Sequence, residues 1–124
     1  MALLMPAEQM ERYKRTARTR WQIEREHRVV RRERAWQLAR RAATLLKDKF
    51  GVHRVMVFGS LTHPDRFTLW SDVDLAAWGL TPANWLRATA AVRSLSSEVE
   101  LNLVDVTCCS PALLTAIERE GIVL

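Results

Sequence analysis

The strongest constraint on the fold is a run of 44 residues, from Ala7 to Phe50, that contains neither Gly nor Pro. Arg, Glu, Ala, Gln and Leu dominate this run, and all five are good helix formers. We therefore expect the whole stretch to be helical, in one piece or in two. From Gly51 onward the pattern changes to short apolar runs separated by turn residues, so a second kind of structure begins there.

The second part of the helical run carries a face suited to a protein core. Its apolar residues recur at spacings of three and four, which places them on one side of a helix; they are Trp36, Leu38, Ala39, Ala42, Ala43, Leu45, Leu46 and Phe50. The first part has only a thin stripe, made of Met10, Tyr13, Ala17 and Trp21. We therefore predict a helical arm over residues 1–34 and a domain over residues 35–124.

Charge is distributed in the same two parts. Residues 1–50 hold 14 Lys or Arg against 6 Asp or Glu, whereas the remainder holds 5 against 8. A basic helix can bind nucleic acid through phosphate contacts. However, glutamates are interleaved with the arginines and can pair with them one turn away. We favour a solvated or oligomerising helix, with nucleic-acid binding as the alternative.

Beyond Gly51, β-type runs alternate with helical ones. The segments HRVMVF, DVDLAAW and VELNLVDV predict three strands. Thr81 with Pro82, and Ser110 with Pro111, each have the composition of a helix start, and Gly121 ends the second of these helices. The sequence therefore predicts an α/β domain on a small mixed sheet, preceded by a helical extension.

Several classes of protein are disfavoured by composition. No apolar run approaches the roughly 20 residues that cross a bilayer, and MALLMP lacks the features of a signal peptide. Cys108 and Cys109 are adjacent, so they cannot join distant segments, and no second Cys pair completes a zinc site. We expect a cytoplasmic protein that does not contact a membrane.

Two short motifs flank the loop between the first two predicted strands. Gly59 and Ser60 end the first strand, while Asp72 and Asp74 begin the second. Residues i and i+2 of a strand share a face, about 6 to 7 Å apart at Cα. Carboxylates this close repel each other unless a divalent cation lies between them. The pair therefore predicts a magnesium or manganese site that also accepts phosphate oxygens.

The Gly-Ser pair supplies the complementary half of such a site. A Gly at the end of a strand lets the backbone approach a phosphate, and the Ser60 hydroxyl and the following N–H groups can donate to its oxygens. Each motif alone is common by chance and is also compatible with a loop glycine or a solvated Asp pair. Their succession on neighbouring strands is much more specific.

This succession resembles the signature of the DNA polymerase β-like nucleotidyltransferase superfamily. The small size is similar to that of its minimal nucleotidyltransferase branch, whose members are typically paired with HEPN-domain proteins in toxin–antitoxin systems. The likeness covers residues 36–124, including the ending SPALLTAIEREGIVL. It implies transfer of a nucleoside monophosphate from a nucleoside triphosphate. By this resemblance Gly59 and Ser60 would bind the triphosphate, and Asp72 and Asp74 would bind magnesium.

The sequence departs from that family at two points. Asn102 stands where the family has a third carboxylate, and an amide binds metal weakly and cannot accept a proton from an incoming hydroxyl. Glu100, two residues earlier, is the only nearby acidic substitute. The loop LTHPDRF also departs from the family pattern. Its His63 and Arg66 are candidate phosphate contacts, the alternative being that both are ordinary loop residues.

Two functions follow as hypotheses. The first is a magnesium-dependent enzyme that uses ATP or another nucleoside triphosphate to modify a protein hydroxyl, since the chain is too short for the further domain that small-molecule transferases usually carry. Its acceptor would be a partner HEPN toxin. The second is an antitoxin-type binding subunit with weak or no catalysis. Asn102 favours the second hypothesis, and the intact Gly59–Ser60 and Asp72–Asp74 motifs favour the first.

Overall fold

The computed structural model describes residues 6–124. Its elements are α1 (Ala7–Phe50), β1 (Arg54–Phe58), a 3₁₀ helix (Gly59–Thr62), β2 (Val73–Trp78), α2 (Trp85–Arg93), β3 (Leu101–Asp105), α3 (Pro111–Glu120) and β4 (Ile122–Val123). The first five residues of the predicted arm, and with them most of the stretch MALLMP, lie outside the described range. Within that range, no helix combines the length and the apolar composition needed to span a bilayer.

Helix α1 is one continuous helix and not two pieces. It ends at Gly51, which has a φ of 68°, a left-handed conformation that costs little without a Cβ atom. The predicted core stripe is confirmed, because the buried residues of the helix are Ala35, Leu38, Ala39, Ala42, Ala43 and Leu46. Residues 7–27 are exposed throughout. Only the second half of α1 therefore contributes to the core.

The sheet is mixed, as the sequence predicts, with the strand order β3-β2-β1-β4. Strands β1 and β2 are antiparallel, and β2 and β3 are parallel. The parallel pair is joined by α2, since parallel neighbours need a crossover connection. Strand β4 pairs with β1 through only two residues, and it is not among the strands predicted from the sequence.

Helices cover both faces of the sheet. The larger buried cluster joins α1 and α2 to one face through residues such as Leu38, Val92 and Leu75. The smaller cluster joins α3 to the other face through Met56, Ala76 and Ile117. Side chains alternate along a strand, so residue 74 shares the α3 face with residue 76.

The predicted start of α2 is wrong, whereas that of α3 is confirmed. Residues 81–84 form a turn, in which the Asn84 side chain accepts from the Thr81 N–H at 2.8 Å, and the helix begins only at Trp85. In α3, the Ser110 hydroxyl accepts from the Leu113 N–H as expected for a cap. The Thr-Pro pair opens a turn here because the Asn84 side chain bonds back to the Thr81 backbone and makes no capping hydrogen bond to the helix.

Two arginines of α1 hydrogen-bond to the segments that precede β2 and β3 and to the 3₁₀ helix after β1. Arg31 donates to the backbone carbonyls of Ser71, at 3.2 Å, and Glu98, at 3.4 Å. Arg32 donates to the carbonyl of Leu61 at 2.9 Å. Both arginines precede residue 35, so contacts with the domain begin within the segment predicted as the arm. The boundary at residue 34 remains a prediction about which part folds alone.

Replacing these arginines should loosen different loops. An intramolecular hydrogen bond contributes about 1 kcal/mol, so the loss of each bond should raise the equilibrium constant for local opening about fivefold. In Arg31→Ala, amide hydrogen exchange should rise near residues 71 and 98, and in Arg32→Ala near residue 61. Mass spectrometry of exchanged peptides would locate both changes.

Each variant is the control for the other, and Arg34→Ala adds a third. The Arg34 side chain is exposed and contacts only Gln37 among the described residues, so its removal should change neither loop. A uniform rise of exchange in every variant would show general destabilisation and contradict the assignment.

Candidate functional site

The turn after β1 approaches a carboxylate of β2 very closely. Gly59 has a φ of +76°, and a Cβ atom placed on it would lie 2.7 Å from Oδ2 of Asp74. Real Cβ atoms do not come this near to an oxygen, so any other residue would displace the carboxylate or the turn. Gly59 is thus required twice, for its backbone conformation and for this contact. The two sequence motifs meet at this point.

Ser60 follows in the 3₁₀ helix, whose own hydrogen bonds shape the turn. The Thr62 hydroxyl donates to the Gly59 carbonyl at 2.8 Å, and the His63 N–H donates to the Ser60 carbonyl at 3.1 Å. The side chain of Leu61 is fully buried and anchors the turn in the core. Within residues 6–124 the Ser60 hydroxyl has no hydrogen-bond partner, so it is available to a ligand.

Asp74 lies beside this turn, and Asp72 lies two residues before Asp74 in the chain. Asp72 immediately precedes β2 and is not part of the strand, while Asp74 is its second residue. Both are half-buried. Burial raises the pKa of Asp74; the hydrogen bond from Asn102 opposes that shift, and the charge of Asp72 adds to it. The two carboxylates thus repel each other, and a cation bound between them would offset that repulsion.

Asn102 lies directly beside Asp74 on the neighbouring parallel strand. The two residues are partners in the register of β2 and β3, and Nδ2 of Asn102 donates to Oδ1 of Asp74 at 3.2 Å. A carboxylate can only accept, so the amide nitrogen must be the atom that faces it. The structure therefore places Asn102 beside Asp74, with its neutral amide donating to that carboxylate.

Arg93, which was not among the residues predicted for the site, lies next to Asn102. Its Nη2 atom donates to Oδ1 of Asn102 at 3.4 Å and lies 3.8 Å from Oε1 of Glu100. Arg93 is the last residue of α2, and no local sequence pattern predicts that the end of a helix returns to the start of β3. Only the crossover brings the guanidinium to this edge.

Glu100 is not grouped with the other carboxylates. It precedes β3, is exposed and pairs with Arg93, which is also more than half exposed. Among the residues the structure describes, no three His, Cys, Asp or Glu side chains form a group that could hold a metal. Asp72 and Asp74 are thus the two acidic metal-ligand candidates, and Asn102 occupies the position where the resembling family has its third carboxylate.

The candidate phosphate contacts in the loop lie in different surroundings. Arg66 is exposed, and its guanidinium makes no hydrogen bond or ion pair within residues 6–124. His63 is half-buried, with Nε2 3.7 Å from Oε2 of Glu120 on α3. The His63 contact explains how the loop is held against α3, whereas nothing orients Arg66 toward the turn.

A cleft of about 400 Å³ opens beside Asp72. Trp70, whose side chain is 80% exposed, stands on its wall, and Arg31 and Arg93 lie at its sides. A larger groove, of about 1250 Å³, runs along α1 and contains none of the site residues predicted from the sequence.

Comparison with known proteins gives structural matches only. No protein-family model matches the chain. No curated protein sequence matches it either. A chain in the crystal structure of the toxin–antitoxin MntA–HepT has 18% identity and a TM-score of 0.53, over 71% of this chain and 69% of that one. A chain in the structure of a toxin–antitoxin with AMP-PNP has 21% identity and a TM-score of 0.54, over 65% and 67%.

A chain in a mutant form of the MntA toxin–antitoxin matches with 22% identity and a TM-score of 0.56, over 68% of this chain and 69% of the other. At these identities the likeness establishes the fold alone. The predicted mixed α/β fold is confirmed: the chain has a mixed four-stranded sheet and an N-terminal helical extension, and it shares its fold with these toxin–antitoxin chains.

Asp74→Asn should stabilise the folded chain in the absence of metal. Because the pKa of Asp74 is raised, the folded state holds this proton more tightly than the unfolded state does. The native chain therefore loses stability as pH rises from the ordinary value of 3.8 through the folded value. A neutral amide avoids that loss. The melting temperature of the variant should exceed that of the native chain near pH 7, and the gap should narrow near pH 4.

Thermal unfolding with a chelator present would measure the melting temperatures of the native chain and the variant near pH 7 and near pH 4. Asp48→Asn is the matched control, since Asp48 is exposed on α1, and it should leave the melting temperature unchanged. A lower melting temperature for Asp74→Asn near pH 7 would mean that the charged hydrogen bond with Asn102 outweighs burial.

Proposed function

We propose that this chain is a minimal nucleotidyltransferase that moves a nucleoside monophosphate from a nucleoside triphosphate, foremost ATP, to a hydroxyl group of a partner protein. One observation carries the proposal: the turn at Gly59 lies so close to Asp74 that a Cβ atom there would come within 2.7 Å of Oδ2. A phosphate chain held by the Ser60 hydroxyl and the turn's N–H groups would therefore lie against the carboxylate pair.

Asp72 and Asp74 have the chemistry that a magnesium ion requires. Magnesium takes oxygen ligands and is usually bound by one or two carboxylates together with substrate phosphates. A cation between the two would relieve the repulsion that contributes to the raised pKa of Asp74. Bound there, magnesium or manganese would neutralise charge on the phosphates and orient them. Asn102 would keep Asp74 in place through its amide.

The transfer itself would exchange one bond to phosphorus for another. The acceptor oxygen bonds to the α-phosphorus, the bond from that phosphorus to the bridging oxygen breaks, and pyrophosphate leaves with the electron pair. The acceptor's proton must go to Asp72, Asp74 or solvent, because Asn102 has no basic atom. Arg93, next to Asn102, adds positive charge at the edge of the site. The cleft beside Asp72 is wide enough for a side chain to enter.

The acceptor is proposed from the setting of the related folds. The matching solved structures are toxin–antitoxin complexes, one of them with AMP-PNP. The family that the motifs resemble pairs with HEPN-type toxins, and a partner of this type is the proposed acceptor. The chain would then act as an antitoxin that modifies its toxin in the cytoplasm.

The contact between Asn102 and Asp74 favours a second candidate function. With a neutral donor in place of a third carboxylate, the site can bind magnesium and nucleotide yet lack a group that deprotonates the acceptor. Glu100 lines the same cleft as Asp72, but its carboxylate lies beside Arg93 and makes no contact with Asp74 or Asn102 among the described residues. The chain would then neutralise its partner by binding, with slow transfer or none.

The proposed metal site predicts that nucleotide binding depends on a divalent cation. Calorimetry should detect ATP binding with magnesium or manganese and none with a chelator. The double variant Asp72→Asn with Asp74→Asn should abolish binding, and Asp65→Asn, an exposed loop carboxylate, is the matched control that should leave it intact. Equal affinity with and without metal would refute the site.

Asn102→Asp should separate the two candidate functions. A positioned general base contributes about 10²- to 10⁴-fold to a rate, so a chain that is an active but slow enzyme should gain within that range. The assay would follow transfer of labelled nucleotide to the purified partner toxin at saturating magnesium and ATP. Glu100→Gln in the same assay should have no effect, since Glu100 pairs with Arg93.

The outcomes of this comparison are distinct. If the native chain is fast and Asn102→Asp leaves it unchanged, position 102 takes no part in proton transfer. If both forms bind ATP and the partner but neither transfers nucleotide, the neutralising subunit is correct and the enzyme is not.

A further inference from the structure

A groove along α1 combines positive charge with aromatic side chains. Its helix wall runs from Trp21 to Lys47, and its other wall is formed by residues 64–65 and by β4 with Leu124. At 1.5 Å per residue, the helix wall is roughly 39 Å long. The groove is separate from the carboxylate site, since it includes neither Asp72 nor Asp74.

The structure separates charges that are interleaved in the sequence. Five cations line the groove, namely Arg25, Arg28, Arg32, Arg40 and Lys47, against only two carboxylates, those of Glu33 and Asp65. Glu24 and Glu26, which dilute the charge in the sequence, lie outside the groove. The helix periodicity of 3.6 residues is the reason, because it places neighbours in sequence on different faces. The sequence-based preference against nucleic acid rests on this dilution, which the fold reduces, since Glu33 alone of the helix glutamates lines the groove.

The positive charge of the groove is not compensated within the described residues. No groove cation lies within ion-pair distance of an acidic side chain of residues 6–124, where Arg93 pairs with Glu100 and His63 lies 3.7 Å from Glu120. Arg32 donates to the neutral backbone carbonyl of Leu61, whereas Lys47 donates to a backbone oxygen of Leu124, the last residue of the sequence. An anionic ligand would therefore displace no acidic side chain from the groove arginines.

Two tryptophans place flat rings among these cations. The guanidinium of Arg25 lies 5.6 Å from the centre of the Trp21 ring, and Trp21 is 61% exposed. The guanidinium of Arg40 lies 5.5 Å from the Trp36 ring, and that of Arg32 lies 6.0 Å from it. Rings that stack on bases, flanked by cations that contact phosphates, are what proteins use to bind single-stranded nucleic acid.

We propose that this groove binds single-stranded nucleic acid, with a base stacked on the exposed ring of Trp21 and phosphates on the surrounding arginines. A groove of this length suits several nucleotides, within the roughly 4 to 16 that such surfaces usually cover. Nucleic acid fits better than an acidic protein segment, because an exposed aromatic ring among cations can stack on a base while the cations contact phosphates, and an acidic side chain has no flat ring to stack. Seven of the sixteen residues that line this groove are charged.

The test is fluorescence anisotropy of the full chain with a labelled single strand of about twelve nucleotides, over about 50 to 200 mM salt. Trp21→Ala should weaken binding about tenfold, since each stacked base contributes about 1 to 3 kcal/mol. The double variant Arg28→Glu with Arg40→Glu removes two phosphate contacts. Its slope of log affinity against log salt should be smaller by about 1.4.

Arg34→Glu with Arg41→Glu is the matched control. It makes the same change of charge on the same helix, but both residues are exposed outside the groove, so it should retain most of the native affinity. Circular dichroism would confirm that all variants remain folded. Polyglutamate of matched charge tests the protein alternative and should compete poorly.

Three results would overturn the proposal. They are no binding at the lowest salt, an equal loss in the control and groove variants, and equal competition by polyglutamate. The absence of binding would exclude single-stranded nucleic acid as the ligand. An equal loss in both sets of variants would mean that affinity depends only on net charge. Equal competition by polyglutamate would assign the groove to an acidic polypeptide. None of these results depends on whether the carboxylate site transfers nucleotide.

Discussion

Strand β2 pairs on both sides within the first few residues after Asp72, and the candidate site depends on that pairing. On one side Asp74 is the partner of Phe58, so the turn that starts at Gly59 opens beside it. On the other side Asp74 is the partner of Asn102. A shift of register by one residue would turn Asp74 into the core and Val73 out of it. The buried face of β2, including Val73 and Leu75, prevents that shift and so holds the site together.

The electrostatics of the site follow from the same placement. Asp74 is half-buried because it lies between two neighbouring strands, and both burial and Asp72 disfavour its charge. An amide at position 102 adds no further negative charge and donates to Asp74, which eases the repulsion in a metal-free protein. Compared with a carboxylate, the same amide is a weaker metal ligand and has no basic atom.

Helix α1 serves the domain on two of its faces. Its alanine-rich face lets it approach the sheet, and Arg31 and Arg32 reach the carbonyls of the loops before Asp72 and after Ser60. A third face presents the groove cations to solvent. Since one rigid helix carries all three, the position of the basic surface is tied to that of the loops. The extension is therefore part of the architecture of the site and not only an appendage.

Much of the fold could be predicted because it depends on local chemistry. The long helix follows from the absence of Gly and Pro, the three main strands from their apolar runs, and the α3 cap from Ser110 with Pro111. The start of α2 could not be predicted, because the Thr81 N–H donates to the Asn84 side chain and closes a turn before the helix, and this contact depends on the folded geometry. Strand β4 has two residues, too few for any period, and it exists only through pairing with β1.

Local sequence was sufficient to specify which chemical groups the site contains: a Gly-Ser turn, two carboxylates in alternate positions and an amide in a third. These are short-range patterns, although β2 begins only at Val73, so the two-residue period of the strand applies to Asp74 and not to Asp72. Three further features came from the folded chain: Arg93 meets Asn102, Glu100 turns to Arg93, and the groove arginines of α1 separate from Glu24 and Glu26. The first two are contacts between the end of α2 and the start of β3, and the third depends on which face of α1 the domain leaves open. Their geometry therefore arises from packing rather than from local preference.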